Sequence, residues 1–176
     1  MKLTQFKTPR TDRYYEDYEV GATYELGSYS LSETDIVEFA SRYDPQPFHL
    51  DREAAAKSPY GGIIASGWHS ACAMMRLMVD HFVSANAGLG SPGLDEIRWL
   101  KPTRPDALLT VRITVRDKRR SRSKPDRGIF FHEVEVVDAA GDTVMTVKGA
   151  GMVRCREAAP SDARRDEDSG TSLPQT

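Results

Sequence analysis

Apolar residues recur along the chain with two different periods, and the switches between them set the order of elements. Over residues 23–30 an alternation places Tyr24, Leu26 and Ser28 on one side, the pattern of a half-buried strand. Ile36, Val37, Phe39, Ala40 and Tyr43 then recur at helical spacing. Ser32 stands before them as N-cap, with Glu33 and Asp35 in the first turn, where carboxylates favour the positive end of the helix dipole. Pro45 and Pro47 stop this helix, since each disfavours helical backbone in the residue before it. The segment 44–49 is therefore expected to be extended and stiff. Asp51 caps a short helix over 52–57, and Tyr60-Gly61-Gly62-Ile63-Ile64 reads as a loop whose glycines allow close backbone approach.

A longer apolar stretch comes next, with Ser66 as its N-cap. It predicts a helix running to about residue 87, stopped by Gly88. Gly67, Ser70, Ala71 and Ala73 make its first half thin, whereas Met74, Met75, Leu77, Met78, Phe82 and Val83 make the second half apolar around much of its girth. Such a helix is expected to be wrapped by other structure. The remainder reads as strands at 94–100, 108–117, 129–137 and 143–154, the last three a meander with a turn at Ala140-Gly141-Asp142. Leu109, Val111, Ile113 and Val115 alternate cleanly. The expected fold class is α+β, a curved antiparallel β-sheet wrapped around a long central helix. Residues 1–13 read as an N-terminal arm, 14–156 as the domain, and 157–176 as an acidic tail expected to be disordered, having no apolar period.

Composition narrows the classes further. The 176 residues suit one domain, and 39% hydrophobic with 28% charged residues describes an ordinary water-soluble chain. A net charge of −2 gives no bias toward nucleic acid or membrane, and neither is expected as a partner. Cys72 and Cys155 are expected to be buried thiols in a reducing compartment, and no Cys/His spacing suits zinc, so no metal site is expected. The first 20 residues hold no apolar run of the secretory kind. The most apolar stretch, 71–83, is interrupted by Arg76, Asp80 and His81 and is too short to span a bilayer. A cytoplasmic location is the expectation.

The candidate chemistry lies between the two long helices. Asp44, His49 and the N–H of Gly67 at a helix start are the parts needed for acid–base chemistry on a carbonyl compound. Each also has an ordinary role, as a turn residue, a core histidine and a glycine for close packing. His69 reads as structural, and His81 and His132 have no motif around them.

Tyr43-Asp44-Pro45-Gln46-Pro47-Phe48-His49, followed by Ser66-Gly67-Trp68-His69, resembles the hydratase motif of MaoC-like dehydratases, a family that includes the (R)-specific enoyl-CoA hydratases. The likeness of element order covers about residues 14–156. Asp44, Pro47 and His49 match the motif's aspartate, proline and histidine at the family's spacing, and Gly67 matches the glycine that opens the central helix. Tyr43 stands where the family commonly has glycine, and Gln46 where it has asparagine. Met75 falls near a serine of some enoyl-CoA hydratases, whose hydrogen bonds it cannot replace, and this bears on the exact reaction or substrate.

The resemblance implies a hotdog fold, a homodimer or higher homo-oligomer, and reversible hydration of a trans-2-enoyl-CoA to an (R)-3-hydroxyacyl-CoA. No cofactor is implied beyond the coenzyme A of the substrate. In that chemistry Asp44 and His49 hold a water between them, and the Gly67 N–H meets charge developing on the thioester oxygen. Gln46, Phe48, Tyr60, Ser66 and Trp68 are candidate substrate contacts, with packing the competing role for the aromatics. Lys101, Arg104, Arg119 and Arg120 are candidate contacts for the phosphates of coenzyme A, against the reading of the basic run 116–124 as a solvated hairpin tip. Two other functions fit the same architecture: a hotdog thioesterase directing water at the carbonyl carbon, and a non-catalytic acyl-CoA-binding member.

Overall fold

A computed structural model describes residues 3–157, so all of the expected tail but Glu157 lies outside the described residues. The elements occur in the order β1 (Thr23–Tyr29), α1 (Glu33–Tyr43), α2 (Pro47–Leu50), α3 (Arg52–Lys57), α4 (Gly67–Leu77), β2 (Leu94–Trp99), β3 (Leu109–Arg120), β4 (Arg127–Val137) and β5 (Thr143–Arg154). The strands form one antiparallel sheet in the order β1-β3-β4-β5-β2. Leu109, Val111, Ile113 and Val115 of β3 are buried, as their alternation predicts. Met74, Met78 and Phe82 pack against them and against Tyr24, Leu26, Val134 and Val147 in one core. Leu31, Ile36, Ala55, Ile63 and Ala65 form a smaller cluster that seats α1 and α3. A curved sheet around a helix is the hotdog arrangement. No helix among the described residues is long and apolar enough to cross a membrane.

The central helix ends earlier than its composition predicts. α4 passes into a π-helical turn, Met78–Phe82, and the chain becomes extended at Val83 (φ −68°, ψ 133°). The stop comes from the N-terminal segment. Arg13 Nη1 donates to the carbonyls of His81 and Phe82, at 2.8 Å each, and the Tyr18 hydroxyl donates to the Phe82 carbonyl at 3.1 Å. Terminal carbonyls satisfied in this way need no glycine, and Gly88 is not the cap. The helix is also two-sided. Trp68, Met75 and Val79 are exposed on the face away from the sheet, and Cys72 is exposed there too, contrary to expectation, whereas Cys155 is buried.

Other departures have local causes. A bulge at Gly27 (φ 103°) shifts the register of β1, so Ser28 lies outside, bonded to Thr110 at 2.8 Å. Tyr29 turns inward instead, and its hydroxyl donates to the Ser70 carbonyl at 3.3 Å. Segment 44–49 is extended only through Gln46 (φ −83°, ψ 141°), because Pro47 opens α2, a position that suits its fixed φ and missing N–H. Tyr43 lies exposed rather than on the buried stripe of α1. Much of the basic run is strand, with Arg116 paired to Glu133 at 2.7 Å and Arg120 to Glu16 at 2.6 Å. Residues 3–13 lie against the domain: Phe6 stacks on Tyr24 with ring centroids 4.1 Å apart, and the Arg13 guanidinium sits 3.4 Å over Phe6.

His132 of β4 is buried beside Phe82 and Phe130, and its Nδ1 has no hydrogen-bond partner among the described residues. Burial pushes its pKa down to about 4, opposed in part by the charge of Asp95. The folded chain then binds fewer protons here than the unfolded chain, so stability falls as pH drops from about 6.5 toward about 4. His132→Phe should remove this sensitivity. In urea unfolding, the loss of stability between about pH 7 and about pH 4.5 should be smaller than in wild type by about 2–3 kcal/mol. An equal loss in both proteins would show that His132 is not the acid-sensitive group.

Candidate active site

His49 sits in the α2 turn and is 4% exposed. Its Nδ1 lies 2.7 Å from the Ile64 carbonyl oxygen. A carbonyl can only accept, so Nδ1 carries a proton and donates it. The other ring nitrogen, Nε2, faces Asp44, 3.3 Å from Oδ2. Asp44 closes α1: its N–H donates to the Ala40 carbonyl at 2.9 Å, and its backbone then leaves the helix (φ −151°, ψ 67°). Gln46 Nε2 donates to Asp44 Oδ1 at 2.7 Å. Burial pushes the Asp44 carboxyl up, but hydrogen bonds from Gln46 and Ser66, joined by the charge and hydrogen bond of His49 when its ring carries a proton on both nitrogens, outweigh it and hold the pKa below its ordinary 3.8. Asp44 is therefore a carboxylate near neutrality. With a neutral imidazole, two acceptors face the same cleft, and a water there can donate to both.

Gly67 opens α4. At that position its N–H has no acceptor within the helix, and none is found elsewhere among the described residues. Ser66, fully buried, caps the helix by accepting from the Trp68 N–H at 3.3 Å. Trp99 Nε1 donates to the Gly67 carbonyl at 2.9 Å, and a Cβ on Gly67 would lie 2.5 Å from the Trp99 ring. The indole packed on this position thus leaves no room for a side chain, and Gly67 lines the cavity.

A cavity of about 480 Å³ brings together Asp44, Gln46, Phe48, His49, Tyr60, Gly67, Trp68 and Lys101, all singled out from the sequence. Ser66 lies behind its wall. Trp99, Leu100, Pro102, Thr103, Ser70, Ile64 and Ala65 complete the lining, and no sequence pattern marked them. Lys101 is engaged by Asp142 at 2.6 Å and Asp138 at 3.7 Å. Arg104 is turned to the protein, donating to the carbonyls of Tyr60, Gly62 and Ile63, and so holds the glycine loop. Arg119 and Arg120 lie at the far end of β3, roughly 30 Å along the strand from Leu109, and neither lines the cavity in the same chain. His69 stacks on Phe39 with centroids 4.5 Å apart, outside the cavity, and burial lowers its pKa. Met75 does not line the cavity either.

The curved sheet around a helix is the hotdog fold, and the carboxylate–imidazole pair and the glycine-opened helix start line one cavity within it. Comparison with known proteins agrees. The family model described as MaoC like domain matches residues 17–135, and the chain belongs to this MaoC-like dehydratase family. It is 28% identical over 109 residues to the uncharacterized protein YdeM of Bacillus subtilis (strain 168), covering 62% of this chain and 77% of YdeM. It is 31% identical over 120 residues to a 3-hydroxybutyryl-CoA dehydratase of Methylorubrum extorquens, covering 62% of this chain and 70% of that protein. The crystal structure of the MaoC-like dehydratase from Rhodospirillum rubrum superposes with a TM-score of 0.74 at 36% identity, covering 82% of this chain and 99% of that one.

The contact between Gly67 and Trp99 yields a test. Gly67→Ala should displace the indole and destabilise the fold by about 1–3 kcal/mol, with a shift in tryptophan fluorescence. In a Trp99→Ala background the same substitution should cost much less, since the clashing ring is gone. Additive losses in the double mutant would contradict the close-packing account.

Proposed function

We propose that this chain catalyses the reversible hydration of a trans-2-enoyl-CoA to an (R)-3-hydroxyacyl-CoA. The observation that carries the proposal is the pairing of an ionised Asp44 with an imidazole whose second nitrogen is locked, beside the free Gly67 N–H. The thioester oxygen accepts from Gly67. Water held by Asp44 and His49 gives a proton to the pair as its oxygen bonds Cβ, and the electrons of the double bond move toward the thioester oxygen. The Gly67 N–H and the start of the helix dipole stabilise that charge. The pair then returns the proton to Cα, so that water has added across the double bond and the protein is restored. Family membership and the likeness to a 3-hydroxybutyryl-CoA dehydratase support this reading. Coenzyme A enters as part of the substrate, and the chemistry calls on no other cofactor.

The working form is proposed to be a homodimer. β2 is an open sheet edge with Leu94, Trp99 and Leu100 exposed, and Trp68, Met75 and Val79 are exposed on the outer face of α4. Trp68, Trp99 and Leu100 also line the cavity, so a second copy covering this surface would help to enclose the substrate. Sedimentation at micromolar concentration should show a dimer, and a monomer throughout would contradict it.

Hydration of enoyl-CoA and release of free thiol, assayed side by side, separate the hydratase from a thioesterase; hydration should dominate. Asp44→Asn and His49→Ala should each lower its rate about 100-fold or more, with the double mutant close to the worse single mutant. Because Asp44 is held below 3.8, activity should be lost through this group only as pH falls past that lowered value. Thiol release without hydration, or near-normal hydration by folded Asp44→Asn protein, would overturn the reading.

A further inference from the structure

The wall of the cavity holds two side chains that the hydration chemistry does not use. Ser70 lies one turn beyond Gly67 on α4, and Thr103 lies in the connection from β2 to β3. Both line the cavity although Ser70 is only 2% exposed and Thr103 8%. Ser70 Oγ donates to Thr103 Oγ1 at 3.1 Å.

The pair is held rigidly. The Thr103 carbonyl accepts the Ala65 N–H at 2.9 Å, the Ser70 N–H donates to the Ser66 carbonyl at 3.2 Å, and the Ser70 carbonyl accepts from Tyr29 at 3.3 Å. Two hydroxyls joined by one hydrogen bond retain one O–H and several lone pairs for a further partner. No other side-chain partner for either hydroxyl occurs among the described residues, and a buried hydroxyl left short of partners is costly. The nearby cations are already engaged, Lys101 by Asp142 and Asp138 and Arg104 by backbone carbonyls. The wall therefore offers neutral hydrogen bonding rather than charge.

We propose that Ser70 and Thr103 form a polar subsite for a neutral oxygen function, such as a hydroxyl, on the acyl group of the substrate. This rests on the hydratase reading and adds a substrate class to it: enoyl thioesters with an oxygenated acyl chain, in preference to plain alkyl ones. A subsite built to hydrogen-bond an oxygen discriminates against an analogue lacking it, because its own buried groups are then left unpaired.

The test compares two thioesters of matched size, 5-hydroxypent-2-enoyl-CoA and hex-2-enoyl-CoA. Wild-type protein should show a kcat/KM about tenfold or more higher for the hydroxylated one. Ser70→Ala and Thr103→Val should bring the ratio toward one, and Thr103→Ser, which keeps the hydroxyl, should preserve it. Equal kcat/KM values in wild type, or a ratio that survives in folded Thr103→Val and Ser70→Ala proteins, would overturn the subsite. A second readout does not need turnover. Trp68 and Trp99 line the cavity, so quenching of their fluorescence in Asp44→Asn protein reports Kd for each thioester. A Kd preference without hydration in wild type would sink the hydratase reading and leave the subsite standing, whereas equal Kd values would sink the subsite.

Discussion

The hydrogen bond from His49 Nδ1 to the Ile64 carbonyl is the contact on which the site depends. It is 2.7 Å long, buried, and joins residues 15 apart in the chain. On one side it fixes the imidazole tautomer and turns Nε2 toward Asp44. On the other it holds the segment 63–65 that leads into Ser66 and the opening of α4. Losing the acceptor would leave a buried N–H unsatisfied, at about 1–3 kcal/mol. Local folding and the geometry of the candidate site are thus served by the same bond.

The connection from β2 to β3 braces this arrangement from the opposite side. Trp99 donates to the Gly67 carbonyl, Thr103 accepts from Ala65, and Arg104 donates to three carbonyls of the glycine loop. Segment 60–67 is therefore clamped between α2 and residues 99–104. Each clamp uses backbone groups of the segment, and Gly67 lines the cavity together with Asp44 and His49. Two tryptophans in edge contact, 5.5 Å between centroids, form the wall nearest the open sheet edge.

The features legible in the amino-acid sequence are those that short-range physics determines. The caps at Ser32, Asp51 and Ser66 are bonds between neighbours, and all three side chains accept the N–H expected of a cap. The buried face of β3 comes from alternation alone. The end of the central helix could not be read, because its cap is Arg13, 69 residues away from Phe82. Pro47 carries two meanings, a stop for the helix before it and a start for the turn after it, and the second places His49 in a helical turn. Asp44, His49 and Gly67 were legible through their spacing and the family resemblance. Ser70, Trp99 and Thr103 were not, since they join the cavity only through contacts across the fold.

The measurement closest to the centre of this account is the protonation of the His49 ring, read by ¹⁵N–¹H correlation of imidazole-labelled protein and assigned with a His49→Gln variant. The account predicts a proton on Nδ1 at neutral pH, in slow exchange because it is buried against the Ile64 carbonyl. A neutral ring protonated on Nε2 with a bare Nδ1 would contradict it, since that tautomer can neither make the bond to Ile64 nor present a lone pair to a water shared with Asp44.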